Sequence, residues 1–407
     1  MESLLFLSHR LPYPPNKGDK VRSYNLLKYL AEQYRVFVGT FIDDPLDEQY
    51  LDKVGGLCAG LKVLRLNPKL AKIRSLSGLL TGEALTLPYY RDAALARWVE
   101  QTVRDQNIRT IVVYSSAMAQ YVPAIPGLRV LTDFVDVDSA KWSQYADKKS
   151  WPMSWVYRRE GKRLLEFERQ VAERSAASFF VTEAEVALFR SLLPACPAVV
   201  DAVCNGVDHA FFSPEVVFPS PYPADEIPVV FTGAMDYWPN VDAVKWFATD
   251  ILPALREKQP GVRFYIVGMR PAAAVRDLAG DHVVVTGTVP DVRPYLLHAR
   301  VVVAPLRVAR GVQNKVLEAM AMARPVVVAQ ACAGGIDAAP GTHFETAADP
   351  AGFVDRIMAL LQDAPRADIM GRAARDRVIA RYSWHAHLQG LGRYLQPATP
   401  VVGGGVS

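Results

Sequence analysis

At 407 residues the chain exceeds one ordinary hydrophobic core, so two domains are expected. Half of it is hydrophobic and 22% is charged, as suits a globular protein with large buried sheets. The net charge of +4 is too small for a dedicated nucleic-acid binder, and the four cysteines (Cys58, Cys196, Cys204, Cys332) form no CxxC pair or metal-like cluster, reading as reduced thiols of a cytosolic protein.

The opening run MESLLFLSHRLPYPP has too short an apolar stretch for a signal peptide. No segment reaches the roughly 20 apolar residues that a membrane span needs.

Strand-like runs alternate with helix-length segments from the start. SLLFLS (3–8) ends beside His9, which reads either as a cleft residue or as a structural histidine. NKGDKVRSYNLLKYLAEQ (16–33) then puts Gly18 and Asp19 at a helix start. Gly18 permits close approach of a ligand to the backbone, and Asp19 suits a helix cap as well as a ligand contact. Lys17, Lys20 and Arg22 are available as positive charge.

RVFVGTF (35–41), LKVLRL (61–66), RTIVVYS (109–115) and RVLTDFV (129–135) follow as strands. TDFVDVDSAKW (132–142) carries Asp133, Asp136 and Asp138 after the last of these. An Asp-x-Asp metal site is one reading, and a helix cap at Asp138 is another. The segment 148–176 interleaves Lys148, Lys149, Arg158, Arg159, Lys162 and Arg163 with Trp151, Trp155 and Tyr157. It reads as an amphipathic helix with a solvated face, or as a peripheral membrane contact through 148–163. SFFVT (178–182) and PAVVDAVC (197–204) complete a first set of runs. Continuous rather than alternating apolar residues predict strands covered on both faces, hence a doubly wound parallel α/β sheet.

A proline-rich stretch (211–228) breaks the pattern and reads as a linker. Strand-like runs restart at 228–233, 262–268, 282–287, 299–306 and 324–329. Three of them end in glycine, at Gly233, Gly268 and Gly287, where a ligand can approach the backbone. RGVQNKVLEAMAMARPVVV (310–328) reads as loop, helix, strand. Gly311 and Val312 lie at the helix start, where free amides and the helix dipole favour a phosphate. Lys315 falls in the first turn, a poor place for a cation unless an anion is bound. Glu318 lies one turn on, on the same face, where it can accept hydrogen bonds from ribose hydroxyls. Arg307 and Arg310 add positive charge. An ordinary surface Lys–Glu pair fits poorly with so apolar a helix.

On LPYPPNKGDKVRSYNLLKYL, DFVDVDSAKW, NGVD, FTGAMDYWPNVDAVKWF, VTGTVPDVRPYL and GVQNKVLEAMAMARPVVV, the chain resembles the retaining glycosyltransferases of family 4, with the GT-B fold. It is most similar to the sugar transferases of exopolysaccharide and PEP-CTERM/exosortase loci. The resemblance implies two Rossmann-like doubly wound α/β domains facing each other across a cleft. Residues 1–208 would form the acceptor-binding domain, completed by a C-terminal helix at about 381–396. Residues 209–228 would be the linker, 229–380 the nucleotide-sugar domain and 397–407 a flexible tail.

The implied activity is metal-independent, retaining transfer of a hexose from a UDP- or GDP-type sugar to a saccharide or lipid-linked hydroxyl acceptor. The protein would be cytoplasmic, or peripheral on the inner face of the plasma membrane, with no nucleic-acid partner. Asp133 or Asp136 would contact the donor sugar or orient the acceptor. Arg307, Lys315 and the Gly233 and Gly311 amides would stabilise the departing diphosphate. Gly18 and Val312 would add backbone contacts, Glu318 would hold the ribose, and the Gly287–Thr288–Val289 turn would line the base pocket. Many members have two glutamates with seven residues between them; here Arg310 stands at the first position. That departure motivates one alternative, a non-catalytic nucleotide-sugar-binding partner of a polysaccharide assembly; another GT-B chemistry, a nucleotide-sugar epimerase, is the enzymatic alternative. A Rossmann dehydrogenase fits worse, since no GxGxxG follows the first strand.

Overall fold

The computed structural model describes residues 1–15, 18–147, 150–307 and 312–395. The chain divides into two compact units, Met1–Asn205 with His387–Ser407, and Gly206–Ala386.

The first unit is built on seven strands: β1 (Ser3–Ser8), β2 (Arg35–Ile42), β3 (Gly60–Arg65), β4 (Thr110–Tyr114), β5 (Arg129–Val135), β6 (Ala177–Phe180) and β7 (Val200–Ala202). They pair in parallel in the order β3-β2-β1-β4-β5-β6-β7. The apolar runs of β1, β2, β4 and β6 are buried along nearly their whole length, which is why they show no alternation, while the edge strand β3 is only half-buried. Leu5, Leu7, Phe41, Ile111 and Val113 form one part of the core. Phe134, Phe180 and Phe189 stack in another, with ring centroids 5.0 to 6.0 Å apart. The last helix, Trp384–Leu395, belongs to this unit from His387 onward. There Arg129 Nη1 donates to the Tyr394 carbonyl at 3.1 Å, and Tyr394 packs on Phe179.

The second unit holds β8 (Ile227–Thr232), β9 (Val262–Val267), β10 (Val283–Gly287), β11 (Val301–Ala304), β12 (Val326–Ala329) and β13 (Glu345–Ala347). Their order is β10-β9-β8-β11-β12-β13, again parallel. The chain winds outward from β8 in one direction, then returns to β11 and winds in the other. The first sheet does the same at β1 and β4. Such a reversal opens a crevice outside the strand carboxyl ends, where open α/β sheets bind ligands. Among the described residues, no helix is long and apolar enough to cross a membrane.

Candidate functional site

In the second unit the crevice between β8 and β11 receives the helix Asn314–Ala321. Val316, Leu317, Ala319 and Met320 bury one face of that helix in the core. Lys315 is thereby turned toward the carboxyl end of β8. Its Nζ donates to Asn240 Oδ1, lies 4.5 Å over the Phe231 ring, and sits 3.2 Å from where a Cβ at Gly233 would be. Asn240, 4% exposed, is locked by a 2.9 Å bond from its Nδ2 to the Ala234 carbonyl. Burial pushes the Lys315 amine down to about 8, a shift that the nearby thiol of Cys332 and carboxyl of Glu318 only partly oppose. Glu318 makes no hydrogen bond through its carboxylate among the described residues, and burial pushes it up to about 7 against the opposing pull of Lys315. An ammonium and a carboxyl group are thus held one turn apart, both under-solvated and neither neutralised by the other. That arrangement suits a ligand carrying an anion and neighbouring hydroxyls.

Gly233, Gly268 and Gly287 end three neighbouring strands, β8, β9 and β10. A Cβ on Gly268 would collide with the Gly233 carbonyl oxygen, so this edge closes only with glycine there. Gly287 is open, with φ at 69°. Thr288 beyond it is exposed, and Val289 packs back on the core. Val312, 38% exposed, precedes the Lys315 helix. Gly311 and Arg310 lie outside the described residues, as do Lys17, Lys148 and Lys149.

The structure does not bring Arg307 to this cluster. Its guanidinium is held by Asp242, with Nε 3.0 Å from Oδ2, and lies 5.4 Å from the Trp246 ring centroid. Asn240 and Asp242 are two positions apart on the helix Trp238–Trp246, so they point to different sides of it.

In the first unit, the carboxyl ends of β1 and β4 open on a cavity of about 800 Å³. His9 and Ser115, which follow those strands, line it. Ser115 (φ 74°) and, at the end of β5, the β-branched Val135 (φ 71°) hold left-handed backbone conformations. Strain of this kind collects at functional sites. His9 stacks on Tyr114 at 5.8 Å and meets Tyr90 edge-on at 5.9 Å. Its Nε2 lies 3.6 Å from Asp19, while Nδ1 is buried without a hydrogen-bond partner among the described residues. The contacts from His9, and from Arg10 at 3.0 Å, hold the Asp19 carboxyl well below the usual range. Gly18 opens the helix Gly18–Gln33, and the Asp19 carbonyl accepts from Tyr114.

The three aspartates of the β5 segment are each engaged. Asp133, 5% exposed, takes Arg22 in both oxygens, at 2.7 and 3.1 Å. Arg22 also donates to the Val203 carbonyl and Asn205 Oδ1, at 2.7 and 3.0 Å. Asp133 is therefore an internal counter-ion and not a carboxylate presented to a sugar. Lys20 and Arg22 likewise are buried partners of Asp47 and Asp133, not free cations. Asp136 and Asp138 share Lys141, at 2.6 and 3.1 Å. Asp138 lies inside the first turn of the helix Asp138–Asp147, and the end is capped by other residues. Glu185 accepts from the Val137 amide at 2.7 Å, and Glu168 accepts from the Ser139 amide at 3.2 Å and from its hydroxyl. Burial pushes the Glu168 carboxyl up to about 8 against those bonds.

Glu168 lies on the helix Met153–Arg174, as does Glu160 two turns earlier. Glu160 accepts from the Leu85 and Thr86 amides, at 2.6 and 3.0 Å, and from the Thr86 hydroxyl at 2.7 Å. One helix thus fastens two walls of the cavity.

Residues 226–363 match the family described as Glycosyl transferases group 1. No curated protein matches the chain. Solved structures do. A sucrose-phosphate synthase from Thermosynechococcus elongatus superposes with a TM-score of 0.60 at 17% identity, over 97% of this chain and 98% of that one. Anabaena HepE in complex with UDP gives 0.59 at 16%, over 97% and 99%. WaaG, a glycosyltransferase involved in lipopolysaccharide biosynthesis, gives 0.59 at 14%, over 97% and 100%. The chain has the GT-B fold of two Rossmann-like units, and within it residues 226–363 match the glycosyl transferases group 1 domain.

Proposed function

We propose that the protein is a glycosyltransferase that takes a sugar from a nucleotide-diphosphate donor at the Lys315 cluster and gives it to a hydroxyl acceptor. The observation that carries this reading is the pair Lys315 and Glu318 at the β8/β11 crevice. Lys315 meets the diphosphate, whose negative charge grows as the sugar leaves, and Glu318 receives the ribose hydroxyls. The amide end of β8 at Gly233 approaches the phosphates, and the Gly287–Val289 turn flanks the base. The donor is a UDP- or GDP-type sugar; the similarity to Anabaena HepE, solved with UDP, with UDP and glucose, and with UDP-glucose, supports a nucleotide-sugar donor. Retention of configuration, independence from metal and membership of family 4 come from the sequence resemblance, as does a role in exopolysaccharide assembly of the PEP-CTERM kind. The acceptor belongs to the cavity of the first unit, and Trp151, Trp155 and Arg158 offer a peripheral membrane contact on the cytoplasmic side.

The test is a melting-temperature titration with UDP, UDP-glucose, GDP and GDP-mannose, paired with calorimetry. UDP and UDP-glucose should raise the melting temperature of the wild type. Lys315→Ala should abolish the shift while Arg307→Ala retains it. Stabilisation of Lys315→Ala equal to that of the wild type would remove the donor site from this cluster.

A further inference from the structure

We propose that Lys315 is a modification site: an acyl phosphate enters the β8/β11 crevice by its phosphate and passes its acyl group to Nζ, leaving the crevice without that cation. The consequence for donor binding rests on the glycosyltransferase reading above, whereas the modification stands on the cluster around the amine.

That cluster holds the amine without neutralising it. Among the described residues Nζ has a neutral amide, Asn240 Oδ1, as its hydrogen-bond partner and no carboxylate within ion-pair distance. The other end of the amide is committed, since Nδ2 donates to the Ala234 carbonyl at 2.9 Å. Both partners require the same orientation, because an ammonium donates only to oxygen and a carbonyl accepts only from nitrogen. Asn240 is itself buried, so the amine is held in one place. The Phe231 ring lies 4.5 Å from Nζ. On another side stands Gly233, where a Cβ would come within 3.2 Å of Nζ, so the glycine keeps room beside the nitrogen. Lys315 is part-exposed, and a small reagent can reach it.

The titratable neighbours of the amine are Glu318 on its own helix and Cys332 on the helix Gln330–Ala333, and burial favours the neutral form of each. Burial also pushes Lys315 down to about 8. Near pH 7.5, about a quarter of such amines are neutral, against about one in a thousand for a lysine in water. The neutral fraction is the nucleophile, and the charged fraction draws an anionic reagent in. An acyl phosphate suits both, with a dianion for the ammonium and an electrophilic carbon beside it. Nζ bonds to the acyl carbon, the bond from that carbon to the phosphate oxygen breaks with its electron pair leaving on oxygen, and the Nζ proton ends on the departing hydrogen phosphate. The product amide keeps one N–H for Asn240 Oδ1, so no buried group loses its partner. It carries no charge for a diphosphate.

Acetyl phosphate is the probe, applied to the full chain for timed intervals and read by peptide mass spectrometry. Lys315 should be acetylated at least about tenfold faster than the exposed Lys53, Lys69 and Lys245. Pyrophosphate should slow Lys315 alone. Asn240→Asp sets a carboxylate against the ammonium and should slow Lys315 at least about tenfold. The acetylated protein should show no melting-temperature shift with UDP. Acetylation of Lys315 no faster than that of the exposed lysines, or a rate that pyrophosphate leaves unchanged, overturns the site, and so does a folded Asn240→Asp variant that reacts at the wild-type rate. If Lys315 is acetylated preferentially but UDP neither binds nor protects it, the donor assignment fails and the modification site holds. If UDP binds and Lys315 reacts no faster than the exposed lysines, the reverse is true.

Discussion

Lys315 donates its hydrogen bond to Asn240 and not to Glu318, the carboxyl group one turn further along its own helix. The amine is aligned by a neutral amide, so its charge stays available to a ligand. The carboxyl is spared for a different partner.

That division fixes a pH window for donor binding. Lys315 is a cation below about 8 and Glu318 is ionised above about 7. A diphosphate needs the ammonium and ribose hydroxyls need the carboxylate, so affinity should peak between these values. It should fall above them as Lys315 loses its proton and below them as Glu318 gains one. Calorimetric titration of UDP from about pH 6 to about pH 9 checks both limbs. Lys315→Arg should remove the alkaline limb, because a guanidinium stays charged.

Arg22 and Asp133 should behave as a structural pair. Arg22→Met leaves Asp133 buried without a counter-ion, and the unfolding free energy in urea should drop by roughly 3–5 kcal/mol. Asp133→Asn should cost roughly 1–3 kcal/mol. Neither should alter UDP affinity in the folded protein. A stable Asp133→Asn variant that had lost transfer while keeping donor affinity would return this residue to a chemical role.

The glycines of the second sheet should divide sharply. Gly268→Ala places its methyl group against the Gly233 carbonyl, so the ends of β8 and β9 must part. A loss of at least ~3 kcal/mol is expected, together with weaker UDP binding. Gly287→Ala meets open space and suffers only from its φ of 69°. It should cost about 1–2 kcal/mol. Melting curves with and without UDP separate the two cases.

Glu168 should make the first unit less stable in alkali. Its folded carboxyl is raised to about 8 by burial, well above that of an unfolded glutamate. The folded state therefore binds the proton more tightly. The stabilisation is complete below the unfolded value, about 4.3, and is lost as pH rises through the folded one. Glu168→Gln keeps an acceptor for the Ser139 amide and has no proton to lose. Its melting temperature should vary less between about pH 6 and about pH 9 than that of the wild type.

Much of the fold was legible because burial on both faces leaves uninterrupted apolar runs, and the runs at 3–8, 35–41 and 129–135 became β1, β2 and β5 almost residue for residue. β13 was missed: it is three residues long, begins with Glu345, and owes its burial to pairs with Arg356 and Arg366. The Lys315 helix was legible through a local conflict, a cation and an acid in an apolar helix. Asn240 was not, although it stood in plain view, because nothing local marks it as the partner of a residue 75 positions away. Lys20 and Arg22 were misread for the same reason. Their carboxylate partners lie 27 and 111 residues off, and composition does not distinguish a buried cation from a solvated one. The cavity was not legible, since its lining is shared among segments far apart in the chain, from His9 through residues 72–79 and Ser115 to one face of the helix Met153–Arg174.

Glu160 and Glu168 sit about 12 Å apart along a single 22-residue rod. Glu160 accepts at the start of the helix Thr86–Tyr89 and Glu168 at the start of the helix Asp138–Asp147, so one rod carries both contacts. A push on the exposed tryptophans near the rod's beginning would bear on both clasps together.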